Sequence, residues 1–347
     1  MTILGPGRGE CCLVHVGAAE WLIVDSCTTE SGQPAALAYL DTMGVPYSQV
    51  RWIVATHWHD DHIRGFADLV AACPNAKVIQ SAALESDEFM ALAAAAADSL
   101  VDGSFGAQEV WRTWTHLVSA GRSSPELARS DYRIHLRQGV DEPSCEVWAL
   151  SPSGASVAAA IAEFGRALPK IGEPKRAVPR PKRNPSCVVI WVQVGETVAL
   201  LGADLETSAD EAHGWRGIVH SSGRPTGRAH VLKVPHHGSI DAHDEVMWND
   251  LLVPQPKAAV TPFQRGDVRL PRETDRTRIA GLSDAWLTRD SATSRSPRRS
   301  NAVERTIREA VRQIALVSVN PGRVTFRCDA QDPGNWAVDA PSPAVKL

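Results

Sequence analysis

The sequence predicts an α/β fold in which a sheet is covered by helices. Three observations carry this: short apolar runs of strand length recur along the chain, stretches of helical spacing separate them, and turn residues punctuate the joins. Cys11 to Val16 and Glu20 to Asp25 read as a hairpin turned at Gly17-Ala18-Ala19. Pro34 to Met43 has helical periodicity and stops at Gly44. Arg51 to Thr56 reads as a buried strand, Ile63 to Ala72 as a helix and Val78-Ile79 as a further strand. Residues 84 to 130 are rich in Ala, Trp, Glu and Arg at helical spacing, and they begin an insertion of mainly helical character over 84–183. The insertion ends in KIGEPKRAVPRPKR (170–183), a basic, proline-rich stretch that reads as an extended loop. Strands return at Cys187 to Val194 and Thr197 to Leu201, joined at Gly195-Glu196, then at Ala229 to Val234 and Lys257 to Thr261. Residues 289 to 300 read as a polar loop and Ala302 to Ile314 as an amphipathic helix. Leu316 to Val319 and Arg323 to Phe326 read as a hairpin about Pro321-Gly322. The expected organisation is one domain over 1–330 with a C-terminal tail over 331–347.

Composition narrows the function classes. The chain has 347 residues, 44% hydrophobic and 22% charged, which is ordinary for a globular protein with a sizeable core. A net charge of -4 gives no bulk pull toward nucleic acid or membrane. The seven cysteines are scattered and odd in number, with no CxxC, so a reducing compartment and buried thiols are expected. No basic region followed by an apolar run opens the chain, and no apolar tract is long enough to span a bilayer. Cytoplasmic residence without a membrane segment is the expectation.

The chemistry concentrates in Thr56-His57-Trp58-His59-Asp60-Asp61-His62, directly after a buried strand. Three imidazoles and a carboxylate on one loop suit zinc or a similar divalent metal, because a loop leaving a strand end can aim alternate side chains at one point. The pattern His57-x-His59-x-Asp61-His62 resembles the signature of the metallo-β-lactamase fold superfamily. Asp25, ending the run Trp21 to Asp25, resembles that superfamily's upstream aspartate, which supports the metal loop. Leu200-Leu201-Gly202-Ala203-Asp204 resembles the strand end whose aspartate bridges two metals. Lys233-Val234-Pro235-His236-His237-Gly238-Ser239 resembles a narrower branch, the soluble hydrolase domain of ComEC-type DNA-uptake proteins, and Asn184-Pro185-Ser186 resembles that branch's Asn-x-Ser strand entry.

The resemblance implies an αββα sandwich with a dinuclear metal site at one edge. Four departures stand out: Ile63-Arg64-Gly65 replaces a glycine pair, Ala203 separates Gly202 from Asp204, the usual third-motif histidine has no match, and Leu270-Pro271 stands where a His-Pro is usual. Asn184 or Ser186 is expected to occupy the place of the missing histidine.

On this reading two divalent ions, zinc ahead of manganese, are expected. His57 and His59 would hold one, and Asp61, His62 and His236 the other. Asp204 would bridge them, and a hydroxide shared by the pair would attack the substrate. His236 is preferred as ligand because it directly follows the strand, leaving His237 to donate a proton or hold a substrate oxygen. Asp61, His237 and Asp204 are the catalytic expectations, with Asp25, Asn184 and Ser186 in support. Lys233, Ser239 and Arg64 are the expected contacts to substrate oxygens. The first functional expectation is a phosphodiesterase or nuclease acting on nucleic acid or a nucleotide, the loop 170–183 supplying phosphate contacts and Trp111 and Trp114 stacking surfaces. The second is hydrolysis of a small ester, lactone, thioester or cyclic nucleotide. The third is a metal-binding regulatory or scaffold subunit with little activity. Operon-encoded protein partners are a separate expectation.

Overall fold

The computed structural model describes residues 1–5, 9–97, 105–168, 184, 186–265, 267–290, 300–310 and 321–347. In chain order the elements begin with β1 (Thr2–Gly5), β2 (Cys11–His15), β3 (Trp21–Val24), α1 (Ala35–Met43), β4 (Val50–Ala55), α2 (Asp60–Ile63), α3 (Phe66–Ala72) and β5 (Lys77–Ser81). There follow α4 (Asp87–Ala97), α5 (Phe105–Ser119), β6 (Glu126–Ala128), β7 (Tyr132–Arg137), β8 (Cys145–Ala149) and α6 (Gly154–Ala167). The next are β9 (Ile190–Val194), β10 (Thr197–Leu201), α7 (Gly214–Val219), β11 (Ala229–Lys233), α8 (Glu245–Asp250) and β12 (Leu252–Val260). The last are β13 (Phe263–Arg265), β14 (Val268–Leu270), α9 (Glu273–Leu282), β15 (Asp284–Leu287), α10 (Asn301–Ala310), β16 (Gly322–Asp329), β17 (Asp332–Asp339) and β18 (Val345–Lys346).

The strands form two eight-stranded sheets, ordered β17-β16-β1-β2-β3-β4-β5-β6 and β18-β15-β12-β11-β10-β9-β8-β7. Side-chain alternation shows why they stack. In β4, Trp52 and Val54 join a core shared by both sheets, while Ile53 and Ala55 face a second core under α1, α3, α4, α5 and α6. In β10, Ala199 and Leu201 enter the shared core, while Val198 and Leu200 face a third core under α7, α8 and α9. Strands apolar on both faces must be covered on both, and the result is the expected αββα sandwich.

Several expectations are redrawn. The helix expected over Ile63 to Ala72 is two helices, parted at Gly65 with φ 74°, where an added Cβ would lie 2.8 Å from Thr28. The stretch 84–183 is mainly helical as expected, yet β6, β7 and β8 lie within it and extend both sheets, so it is built into the sandwich. The expected tail 331–347 supplies β17 to one sheet and β18 to the other. Both edges of β16 are taken, by β1 and β17; residues 316–319, expected as its hairpin partner, lie outside the described residues. So do the basic stretch 170–183 and most of the loop 289–300. No helix among the described residues is long and apolar enough to cross a membrane.

Candidate metal centre

The site forms where strands end. β3 and β4 run parallel in one sheet, and β10, β11 and β12 run parallel in the other. Their C-terminal ends deliver Asp25, the loop from Thr56 to His62, Asp204, the His236-His237 turn and Thr261 to one edge, the usual location of ligand sites in α/β sheets. The sheets are tied together there by the Val188 N–H, which donates to the Thr56 carbonyl at 3.0 Å.

Hydrogen bonds fix which way each imidazole faces. Asp25 is buried with φ 62° and accepts from the Thr56 N–H at 2.8 Å, the Thr56 hydroxyl at 2.8 Å and His62 Nδ1 at 2.7 Å. With its proton given to Asp25, the Thr56 hydroxyl accepts from His57 Nδ1 at 3.0 Å. His237 Nδ1 donates to the Thr261 carbonyl at 2.9 Å. Three Nδ1 atoms are thus donors, and each ring turns its Nε2 the other way. His62 Nε2 lies 3.2 Å from Asp204 Oδ2, and His237 Nε2 lies 3.4 Å from Asp61 Oδ2 and 3.7 Å from Asp204 Oδ2. The His57 ring sits 4.2 Å from that of His62 and 4.7 Å from that of His59.

Nε2 of His57, His62 and His237 and Oδ1 of Asp204 are all buried without a hydrogen-bond partner. Such groups are costly unless something satisfies them. Imidazole nitrogen and carboxylate oxygen, converging and already oriented from behind, are the donor set of a divalent cation, and these residues fit one.

The electrostatics agree. Burial opposes charge on His62, yet Asp204, Glu10 and Asp25 raise its pKa well above the ordinary value; burial opposes charge on His237 too, and there Asp204 and Asp61 raise the pKa above its ordinary value. Burial likewise opposes charge on Asp204, but His62 and His237 hold it well below the carboxylate range. His57, buried beside His62 and His59, is pushed well down and stays neutral. The pocket concentrates negative charge and draws positive charge to its centre.

Not every expected residue takes its expected place. His62, Asp204 and His237 come together, joined by a residue the sequence reading missed, Glu10. His236, expected as the ligand, is instead at the rim, with Nδ1 3.6 Å from Glu206 Oε1, because the turn points His237 inward. Lys233, expected at substrate oxygens, is fully buried, pairs with Glu10 and donates to the Ala203 carbonyl at 2.9 Å. Ser239 caps a short 3-10 turn by accepting from the Asp241 N–H. Arg64 is exposed at the break between α2 and α3. Asn184 and Ser186 are buried, and Asn184 lines a cleft of about 450 Å³ with Leu205, Glu206, Asp210, Glu163 and Arg166. Trp114 donates to Gln80 Oε1 at 3.1 Å and stands edge-on to Phe89, and Trp111 packs on the same core, so both are packing residues here. The signal for Glu10 was in the sequence: a carboxylate directly before the apolar run Cys11 to Val14, where a charge is buried only when paired.

Residues 4–88 match the family model described as the metallo-beta-lactamase superfamily. This chain has the metallo-β-lactamase fold. That fold belongs to metal-dependent hydrolases, and the buried donor set sits where its signature loop ends β4. Among solved structures, a Cronobacter sakazakii metallo-β-lactamase with a HARLDQ motif aligns at 14% identity, covering 60% of this chain and 60% of that one, with a TM-score of 0.35. MIM-2 metallo-β-lactamase aligns at 16% identity, again over 60% of each chain, with a TM-score of 0.34. The metallo-β-lactamase fold protein YhfI from Bacillus subtilis aligns at 10% identity over 82% of this chain and 94% of that one, with a TM-score of 0.42. The alignment spans about 60% of the length of the first of these structures. A search of curated proteins finds no significant match.

Within this metallo-β-lactamase fold the stretch after residue 84 packs directly on the metal loop. The Gly106 N–H, in the first turn of α5, donates to Asp60 Oδ1 at 2.9 Å. A Cβ there would lie 1.7 Å from the Trp58 carbonyl oxygen, so only glycine permits the approach. Trp58 is buried edge-on to Phe89 of α4 and Phe164 of α6.

Proposed function

We propose that this chain is a metal-dependent hydrolase of a compact ester-type substrate, such as an ester, lactone or thioester. The observation that carries the hydrolytic reading is the convergence of the unpartnered Nε2 atoms of His62 and His237 on Asp204, with the His57 ring, its Nε2 also unpartnered, 4.2 Å from that of His62. His57, His59 and Asp204 would hold one cation, and Asp61, His62, His237 and Asp204 a second, with zinc the best match to the imidazole-rich set. Such cations polarise a substrate oxygen and bring the pKa of water to roughly 7. His236, at the rim and held below its ordinary pKa by burial, is placed to take a proton from the attacking water and return it to the departing group.

Substrate size and charge come from the cleft. It opens beside Asp204, since Leu205 and Glu206 line it, and its volume of about 450 Å³ suits a small molecule. Its wall carries Glu163, Glu206 and Asp210 against Arg166, which disfavours a polyanion. Lys233 and Ser239, two supports of the phosphodiester expectation, are engaged elsewhere.

A second reading keeps the phosphodiester. Asn184 lines the cleft, and in the sequence it directly follows the basic stretch that ends at Arg183. The ComEC-like segment from Lys233 to Ser239 supports the same reading, as does the suitability of two cations for phosphodiester cleavage.

The test is zinc- or manganese-loaded protein against p-nitrophenyl esters, lactones, thioesters, bis-p-nitrophenyl phosphate, cyclic dinucleotides and single-stranded DNA, with Asp204→Asn as control. Ester or lactone turnover lost in Asp204→Asn supports the first reading. Turnover confined to the phosphodiesters transfers the assignment to the second. Metal-loaded protein inert toward every substrate overturns both and leaves a regulatory subunit.

A further inference from the structure

Glu10 and Lys233 form a buried ion pair at the back of the candidate metal centre, and the pair touches most of the segments that build it. Glu10 is 2% exposed and Lys233 1%. The Glu10 N–H donates to the Asp61 carbonyl at 2.9 Å. Its Oε1 contacts Lys233 Nζ and lies 3.5 Å from His62 Nδ1. Its Oε2 accepts from the Thr261 hydroxyl at 2.6 Å and lies 3.8 Å from His237 Nδ1. Lys233 reaches the other side, donating to the carbonyl of Ala203, which is held at φ 45°, and lying 4.0 Å from Asp204 Oδ1.

Three roles for Glu10 are conceivable, and the geometry separates them. As a metal ligand it would have to face the same point as the unpartnered Nε2 atoms. Its oxygens instead lie against the Nδ1 atoms of His62 and His237, and the two nitrogens of an imidazole point apart. Both oxygens are also engaged, by Lys233 and Thr261. As a pure stabiliser the pair is a poor device, because a buried ion pair is often no better than apolar residues of the same volume. The remaining role uses the contacts it makes. One carboxylate anchors Thr261, whose carbonyl orients His237. It adds negative charge behind both rings, and its backbone anchors the carbonyl of Asp61.

We propose that Glu10, paired with Lys233, is a positioning residue that sets the facing of His62 and His237 and the placement of Asp61 and Asp204 before a cation arrives. The inference rests on the metal centre proposed above. Lys233 neutralises Glu10 so that the carboxylate can be buried there, and it pins the strained Ala203 turn that presents Asp204.

The experiment compares full-length wild type, Glu10→Gln, Lys233→Met and the double variant in two measurements. These are the melting temperature of metal-free protein, and zinc affinity with the visible spectrum of the cobalt-loaded form. Each single change leaves one buried charge without its partner, so both single variants should melt below wild type. The double variant removes both charges and should recover most of that loss. Zinc affinity should nevertheless stay about 10- to 100-fold weaker in Glu10→Gln and in the double variant, the usual effect of losing a group that orients ligands, with altered cobalt bands. A double variant that binds zinc like wild type, with an unchanged cobalt spectrum, overturns the inference and leaves the pair a stabiliser. If the double variant does not fold, Thr261→Val decides. It keeps the volume and the carbonyl but loses the hydroxyl, which bonds Glu10 at 2.6 Å and lies 3.3 Å from His237 Nδ1, so about tenfold weaker zinc binding is expected, and unchanged binding overturns the inference. Wild type that binds no zinc overturns the proposed centre itself, and this inference with it. Wild type that binds zinc beside variants that bind equally well overturns only the inference.

Discussion

His237 Nε2 lies 3.4 Å from Asp61 Oδ2 across the join between the two sheets, and a strained turn puts it there. His236 and His237 both adopt left-handed backbone, with φ 46° and 53°. Each such residue costs roughly 1–2 kcal/mol, so two in succession persist only if their surroundings insist. They do. The His236 N–H donates to the Ala203 carbonyl at 2.9 Å, Thr261 accepts from His237, Phe263 stacks on the His237 ring at 5.0 Å, and Arg278 donates to the Gly238 carbonyl at 2.7 Å. Backbone strain is spent on aiming one imidazole inward and its neighbour outward.

The two histidines should therefore separate on substitution. His237→Ala should lose metal from the centre by well over tenfold in affinity and abolish turnover. His236→Ala should keep metal content within about twofold of wild type while turnover falls by about 10²- to 10⁴-fold, the usual contribution of a positioned proton donor. Elemental analysis of purified variants beside steady-state rates checks this, and metal loss in His236→Ala with retention in His237→Ala would reverse the assignment.

Asp25→Asn offers a cleaner probe of orientation. Asparagine tolerates the φ of 62° and nearly preserves the shape, but it brings an amide donor to the place where Thr56 and His62 both donate. Zinc affinity should fall about 10- to 100-fold with the fold intact. Circular dichroism together with competitive zinc titration reads both quantities, and wild-type affinity would mean that the carboxylate does not hold the rings.

The strands flanking the centre were legible in the sequence because they are apolar on both faces and punctuated by turns, as at Val50–Ala55 and Gly44. The loop from His57 to His62 stood out as a candidate because three histidines and an aspartate crowd into six residues. The inward turn of His237 was not legible, since adjacency to the strand favours His236 and only the left-handed backbone reverses the order. Nor was Lys233 legible as a buried cation: a lysine before a loop reads as solvent-facing until its partner, Glu10, arrives from the far end of the chain. The strands β6 to β8 and β17 were hidden for a related reason. They are short or edge strands whose identity comes from pairing with distant neighbours rather than from local pattern.

Metal removal should be visible in stability as well as activity. A cation that binds only the folded chain adds about 2.7 kcal/mol at a free concentration a hundred times its Kd. Zinc-loaded protein should melt above the chelated form, with up to two ions per chain by elemental analysis. Identical melting curves with and without chelator, at a stoichiometry near zero, would contradict the centre.

The last prediction concerns a glycine pair that separates local backbone effects from the docking of α5. At Gly106 a methyl group would meet the Trp58 carbonyl at 1.7 Å, a backbone atom that cannot swing aside, so α5 must lift from the metal loop. The same residue's N–H holds Asp60, which sits between His59 and Asp61. Gly106→Ala should therefore cost at least about 1–3 kcal/mol, the range for overpacking, and should weaken zinc binding as the loop shifts. Gly154 is the control. It opens α6, an added Cβ there meets nothing within 4 Å, and its φ is not left-handed. Gly154→Ala should be neutral or stabilising by up to about 1 kcal/mol through helix propensity and a less flexible unfolded chain. Chemical denaturation of both variants, with and without zinc, gives the comparison. Should Gly106→Ala retain wild-type stability and zinc affinity, α5 does not brace the metal loop, and substrate choice would have to be sought in the cleft beside Glu206 alone.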